Sequence, residues 1–304
     1  MNDRLQRFVE RELAVAVPPE VEAVGVGLAS DLRGVAVLYY GSTLRTGDLD
    51  AILDFYVLTD GAVGTLPRRV GLQWLWPDVS YHEIPMGGRT VRAKVATMPV
   101  ATFERAAQGR LLDTTIWTRF VQSTALVWAT ENAIRRRVAC AVADAAITAA
   151  RFAAVLGPIQ GDAREFWLAL FRETYRAELR VEPPGRERSI IQHDPDRYSE
   201  LLPMAWEAAG LAFRKRGSVL TPQPSLRLCW HVTRAWMLRA DAGKLLNIAR
   251  LVKAAFTFTG AARYGLWKVQ RHTGISIALT PWRERHPVLA APGVLWQVVR
   301  RRAA

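Results

Sequence analysis

Cysteine is scarce in this 304-residue chain: Cys140 and Cys229 are the only two. Neither has a second Cys or a His at ligand spacing, which argues against a disulfide framework or a zinc site and for a reducing compartment. Long uncharged apolar runs are missing as well. Val138 to Leu156 comes nearest, but Asp144 and Arg151 interrupt it, so no transmembrane segment is expected. Met1 to Arg7 lacks the apolar core of a signal peptide. No Gly-x-Ser-x-Gly elbow supports serine hydrolase chemistry, and no internal repeat or low-complexity tract is evident. Acid is outnumbered: 28 Asp and Glu stand against 41 Lys and Arg, a net charge of +13. That excess points to a polyanionic partner, whether nucleic acid, nucleotide or an anionic membrane surface.

Half of the residues are hydrophobic, which suits a folded chain with a sizeable core. Residues 1–16 read as a short amphipathic helix. Val35 to Tyr40 and Ala51 to Leu58 read as strands, followed by Leu72–Trp76, Val79–Ile84 and Thr90–Met98, with turns at Pro77-Asp78 and Met86-Gly87-Gly88. Helices are expected across 100–108, 113–129, 131–156, 161–182 and 196–216. The fold class is therefore α+β, with a mixed sheet first and mostly helix after it. Composition changes near Gly157-Pro158 and again at Thr221-Pro222-Gln223-Pro224. These breaks divide the chain into 1–156, a mainly helical 157–225, and a basic, aromatic helical 226–304.

One segment carries recognisable chemistry. The apolar strand Leu38-Tyr39-Tyr40 stops at Gly41-Ser42, and Asp48, Asp50 and Asp54 follow before or within the next strand. Glycine lets backbone approach a phosphate closely, and the Ser42 hydroxyl with nearby N–H groups can hold phosphate oxygens. Carboxylates on adjacent segments suit Mg²⁺, which takes oxygen ligands shared with substrate phosphates. Asp54 is the preferred ligand, because a carboxylate within Ile52-Leu53-Asp54-Phe55-Tyr56-Val57 is costly unless a cation or partner uses it. Asp48 and Asp50 compete to be the second. The bland alternative is an ordinary turn with two solvated aspartates.

This arrangement resembles the nucleotidyltransferase superfamily signature of Gly-Ser, a spacer, and acidic residues on an apolar strand. More narrowly, the chain resembles the phosphatidate cytidylyltransferases known as mitochondrial CDP-diacylglycerol synthases, with their bacterial relatives. Segments between about 35 and 275 follow that family's order. They include Tyr40-Gly41-Ser42, Leu53-Asp54-Phe55, and Arg92-Ala93-Lys94-Val95 with its lysine at Lys94. Ser80-Tyr81-His82 falls where the family has a His-Tyr pair, here in reversed order. Further on come Ile116 to Phe120, then Tyr175-Arg176-Ala177-Glu178-Leu179-Arg180 with Glu178 where the family has Asp, then Leu251 to Thr257 and Arg263-Tyr264. The resemblance implies a nucleotidyltransferase-like first part, a winged-helix-like middle, and a Mg²⁺-dependent reaction. In it, CTP and phosphatidic acid give CDP-diacylglycerol and pyrophosphate. It implies Asp54 and Lys94 as catalytic residues and Gly41, Ser42 and Lys94 on the nucleotide phosphates. His82, Tyr175, Glu178 and Arg180 are secondary candidates. Apart from the resemblance, Lys94 reads equally well as a surface lysine at a strand edge.

From Lys244 onward eleven Lys and Arg face a single acid, Glu284, with Trp267, Trp282, Trp296, Tyr264, Phe256 and Phe258 interleaved. Cations beside Trp and Tyr suit an anionic membrane surface. A basic domain with core aromatics and a single-stranded nucleic-acid surface are the alternatives. With the resemblance, the expected protein is cytoplasmic and peripheral on the inner face of a membrane, and nucleic acid is not the expected partner. A nucleotidyltransferase with a soluble or RNA acceptor, or a non-enzymatic binder of anionic surfaces, are the competing functions. His193-Asp194 and Arg135-Arg136-Arg137 read as solvated features of loop and helix.

Overall fold

The computed structural model describes residues 3–61, 75–177 and 185–303. Helix α1 (Asp3–Leu13) buries Leu5, Phe8, Val9 and Leu13, an i, i+3, i+4, i+8 stripe that fits one helical face. Helix α2 (Pro19–Asp31) carries Pro in its first turn with Glu20 and Glu22 beside it, both favoured at a helix N-terminus. The sequence reading placed no helix there, although Pro18-Pro19-Glu20 is a start signal.

Five strands form one sheet: β1 (Gly34–Tyr40), β2 (Ile52–Thr59), β3 (Asp78–Met86), β4 (Arg89–Pro99) and β5 (Thr124–Ala129). Their order is β3-β4-β2-β1-β5. β2 and β4 run parallel, and every other pair is antiparallel. The sheet is thus mixed and the fold α+β. Leu53, Phe55, Val57, Ala93 and Val95 share one face with Val21, Val24 and Leu28 of α2. Leu38, Tyr56, Leu58, Ala96 and Met98 belong to the other face. That face is covered by α1, α4 (Val100–Ala107), α5 (Thr115–Phe120) and α6 (Asn132–Leu156). Burial on both faces explains why β1 and β2 read as near-continuous apolar runs.

The helix expected over 113–129 is corrected. Only Thr115–Phe120 is helical, and Thr124–Ala129 pairs with β1 as an outer strand. Pairing to an open sheet edge overrides the local pattern, as β propensity depends on context. The strand expected at Leu72–Trp76 lies mostly outside the described residues.

Helix α6 alone among the described residues is long and apolar enough to cross a membrane, yet 72% of its most apolar window is buried inside the fold. Trp117 stacks on its Phe152 with centroids 5.0 Å apart, and its Ala150 carbonyl accepts from Trp206 Nε1 at 2.9 Å. It behaves as a core helix. Next come α7 (Ala163–Ala177), α8 (Arg186–His193), α9 (Pro195–Ala208) and a hairpin of β6 (Phe213–Arg216) with β7 (Val219–Pro222). The expected 196–216 helix therefore ends at Ala208 and gives way to the hairpin. One apolar core runs without interruption from Leu5 to Trp236. Residues on both sides of the breaks near 157 and 225 contribute to it.

The last part is helical: α10 (Leu226–Thr257), α11 (Ala261–Thr273), α12 (Pro281–Arg285) and α13 (Pro287–Ala303). Three polar contacts fix α10 to the sheet side. Arg239 donates to the Gly109 and Leu111 carbonyls, Arg250 pairs with Asp113, and Lys253 meets Asp78 and the Leu75 carbonyl, each at 2.7 Å. The Tyr81 N–H then donates to the Thr259 carbonyl at 2.9 Å. Gly260, at φ +81°, sits so close that an added Cβ would lie 2.5 Å from the Tyr81 carbonyl oxygen. Only glycine permits that approach and that dihedral. It turns the chain so that α11 lies along β3.

Candidate active site

Register brings the key residues into one row across the sheet. Tyr81 of β3 is opposite Lys94 of β4, Lys94 is beside Asp54 of β2, and Asp54 is opposite Tyr40 of β1. Neighbouring positions in register share a face. These side chains therefore stand on the face of Tyr56 and Leu58. Asp54 and Lys94 are both half-buried.

Gly41 closes the row. It caps the short helix α3 (Ser42–Thr46) at φ +94° and ψ −162°, a region essentially reserved for glycine. A Cβ added there would lie 3.1 Å from Asp54 Oδ2. The glycine that ends β1 thus lets the chain fold directly over the β2 carboxylate. Ser42 follows with an exposed side chain, and its carbonyl accepts from the Thr46 hydroxyl at 3.0 Å.

The other two aspartates play different parts. Asp48 Oδ1 accepts from the backbone N–H of Asp50 at 3.0 Å and of Ala51 at 3.3 Å. This Asx-type turn shapes the loop into β2. Asp50 is exposed in that loop. Among the described residues no three His, Cys, Asp or Glu converge as a ready metal cage. The charges of Asp54 and Asp48 still reach one group together: burial raises the Tyr39 phenol above its usual pKa, and both carboxylates push it further the same way.

Cations surround the row. The Arg119 guanidinium lies over the Tyr40 ring at 5.2 Å and donates to the Tyr56 hydroxyl at 2.9 Å. Burial raises the Tyr56 phenol, more than Arg119 lowers it, so Tyr56 stays protonated. Arg45 of α3 reaches Gln122 at 3.4 Å. On the far side Arg92 sits 5.7 Å from the Trp267 ring of α11 and 3.9 Å from Glu83. Tyr81 packs on Tyr264 at 5.5 Å and donates to Glu83 at 3.1 Å. Arg119, Arg45 and Arg92 were not singled out from sequence as site residues. Arg119 lies inside the matched Ile116–Phe120 segment, and only the tertiary fold sets it against Tyr40.

Two secondary candidates fall elsewhere. His82 is opposite Ala93, on the α2 face of the sheet, and bonds Ser80 Oγ at 2.8 Å. It does not meet Asp54, because adjacent strand residues point to opposite faces. Burial lowers its pKa, with Asp31 opposing in part. Tyr175 sits on α7, which packs chiefly on α6, α8, α9 and α10 rather than on the sheet. Glu178 and Arg180 lie outside the described residues. Asp194 caps α9 by accepting from the Arg197 N–H at 3.2 Å, a structural role that accounts for the His193-Asp194 pair.

No protein-family model matches this chain, and no curated protein matches it.

Proposed function

We propose that the chain is a nucleotidyltransferase, and specifically a CTP:phosphatidate cytidylyltransferase working at an anionic membrane surface. The observation that carries this reading is the convergence of Gly41, Asp54 and Lys94: a glycine turn 3.1 Å from a strand carboxylate, with a lysine in register on the next strand. The superfamily signature asks for Gly-Ser, a spacer and acidic residues on an apolar strand, and here Gly41-Ser42 leads through a short helix to Asp54 on β2. Three helices followed by a hairpin over 163–222 likewise suit a winged-helix-like middle.

The residues fit a magnesium ion held together with a nucleotide. Mg²⁺ commonly uses one or two protein carboxylates and completes its shell with phosphate oxygens and water. Asp54 would supply the first carboxylate. Asp50, exposed in the adjoining loop, is the better second, because Asp48 is already engaged in its turn. When bound, the ion would offset charge on the transferring phosphate.

The chain's own groups define the rest. The Gly41-Ser42 turn admits the triphosphate without a side chain in the way. Lys94 neutralises phosphate charge as a point cation, and Arg119 extends the positive field from the β1 side. The lipid phosphate attacks the α-phosphorus, an O–P bond forms, and pyrophosphate leaves with the electron pair of the broken bond. No strong general base is needed, since a phosphate monoester is largely ionised near pH 7.

Exposed apolar residues supply the membrane argument. Trp230, Trp282 and Trp296 are 56%, 54% and 61% exposed, and Leu245 and Leu289 are 71% and 69% exposed. All lie in 226–304, where cations outnumber acids, the pattern that an interface favours.

The test is incubation with CTP, Mg²⁺ and phosphatidic acid vesicles. CDP-diacylglycerol should form, and Asp54→Asn should abolish it while the protein stays folded. Nucleotide transfer to a soluble or RNA acceptor without lipid would overturn the lipid assignment. Absence of transfer from any nucleotide would overturn the enzyme itself.

A further inference from the structure

Between α11 and α13 lies an apolar cavity of about 220 Å³. Its walls include Ala261, Gly265 and Val269 of α11, Ala290 and Val294 of α13, and Arg283 of α12. It exceeds the roughly 150 Å³ apolar cavity that accepts a benzene ring. Small residues create it: a Cβ placed on Gly265 would meet nothing within 4 Å.

Two features say what fills it. First, Arg283 lends the wall a positive charge. It is held by the Ala278 carbonyl and, at 3.4 Å, by Gln297. Among the described residues no carboxylate pairs with it, since Glu284 is taken by Arg263 at 2.9 Å. Second, α11 is a shared partition. Tyr264 and Trp267 face the sheet, against Tyr81 and Arg92. Ala261, Gly265 and Val269, an i, i+4, i+8 row, face the cavity. One helix therefore separates the row of Asp54 and Lys94 from an oily space with a cation in its wall.

We infer that this cavity seats an acyl chain of an anionic lipid, its charged head near Arg283. The inference rests on the lipid reading above and adds a site for a membrane lipid across α11 from Asp54 and Lys94, distinct from the phosphatidic acid that reacts, and it is tested without nucleotide so that the two can fail separately.

The full chain is titrated calorimetrically with butyl, octyl and dodecyl phosphate below their micelle concentrations. Each methylene that enters the cavity should raise affinity about fourfold until the space is full. Gly265→Leu and Ala291→Leu, both on the lining, should together remove that chain-length gain and bring dodecyl phosphate down to the affinity of butyl phosphate. Gly265→Leu adds its side chain to open space and replaces a helical glycine, so folding is preserved. Arg283→Gln, as a second variant, should weaken dodecyl phosphate and leave dodecyl maltoside unaffected. Inorganic phosphate should not displace dodecyl phosphate. The proposal is overturned if affinity is independent of chain length, if the gain persists in the filled variant, or if inorganic phosphate competes fully. Failure here with CTP-dependent lipid turnover intact would leave the catalytic reading standing.

Discussion

Replacing Gly41 by alanine tests the site at its tightest point. Its φ of +94° with ψ of −162° is strained for any L-residue, at a cost of about 1–3 kcal/mol. The new methyl also lies 3.1 Å from Asp54 Oδ2, so the carboxylate must give by a few tenths of an ångström. A misplacement of about 1 Å at a reacting centre costs on the order of a hundredfold, so roughly tenfold is expected from this smaller shift. Gly47→Ala is the control. Gly47 ends the same short helix at φ +70°, and its added Cβ would meet nothing within 4 Å. Both variants should lose stability in urea by comparable amounts, about 1–2 kcal/mol for the αL position. Gly41→Ala alone should also lose lipid-dependent CTP turnover, by roughly tenfold beyond the control. Equal losses of turnover in the two would refute the argument, because backbone strain would then explain everything and contact with Asp54 nothing.

Two further outcomes concern stability. Arg197 is buried, bonded to the Val121 carbonyl at 2.9 Å and to Glu12 Oε2 at 2.9 Å; Glu12→Ala should cost about 3–5 kcal/mol by stranding a buried charge, read from urea unfolding. His82 is held below its ordinary pKa chiefly by burial, with Asp31 opposing, so the unfolded chain binds more protons than the folded one across the interval between the two values. Its contribution is therefore present above pH 6.5, the unfolded value, and is lost as pH falls through the folded one. His82→Gln should flatten that part of the stability profile without changing turnover, and a large loss of turnover would return His82 to the site.

How much was legible in sequence depends on the range of the interaction. Val35–Tyr40 and Ala51–Leu58 read as strands because their apolar runs are local. Gly41 reads as a turn because it follows one of them. Asp54 stands out because a carboxylate within such a run needs a partner. Local pattern failed where distant pairing decided the outcome. Thr124–Ala129 reads as helix until β1 offers it an edge.

The sequence by itself determined strands β1 to β4, the Gly41-Ser42 turn, the carboxylate within β2 and the basic, aromatic end, since each depends on residues within a few positions of one another. Only the tertiary structure decided that Lys94 stands beside Asp54, that His82 turns away, and that Arg119 joins from α5. It likewise set α11 along the sheet edge through Gly260. Strand register and helix docking are fixed by which faces bury together across long stretches of chain, and no short window of sequence contains that information.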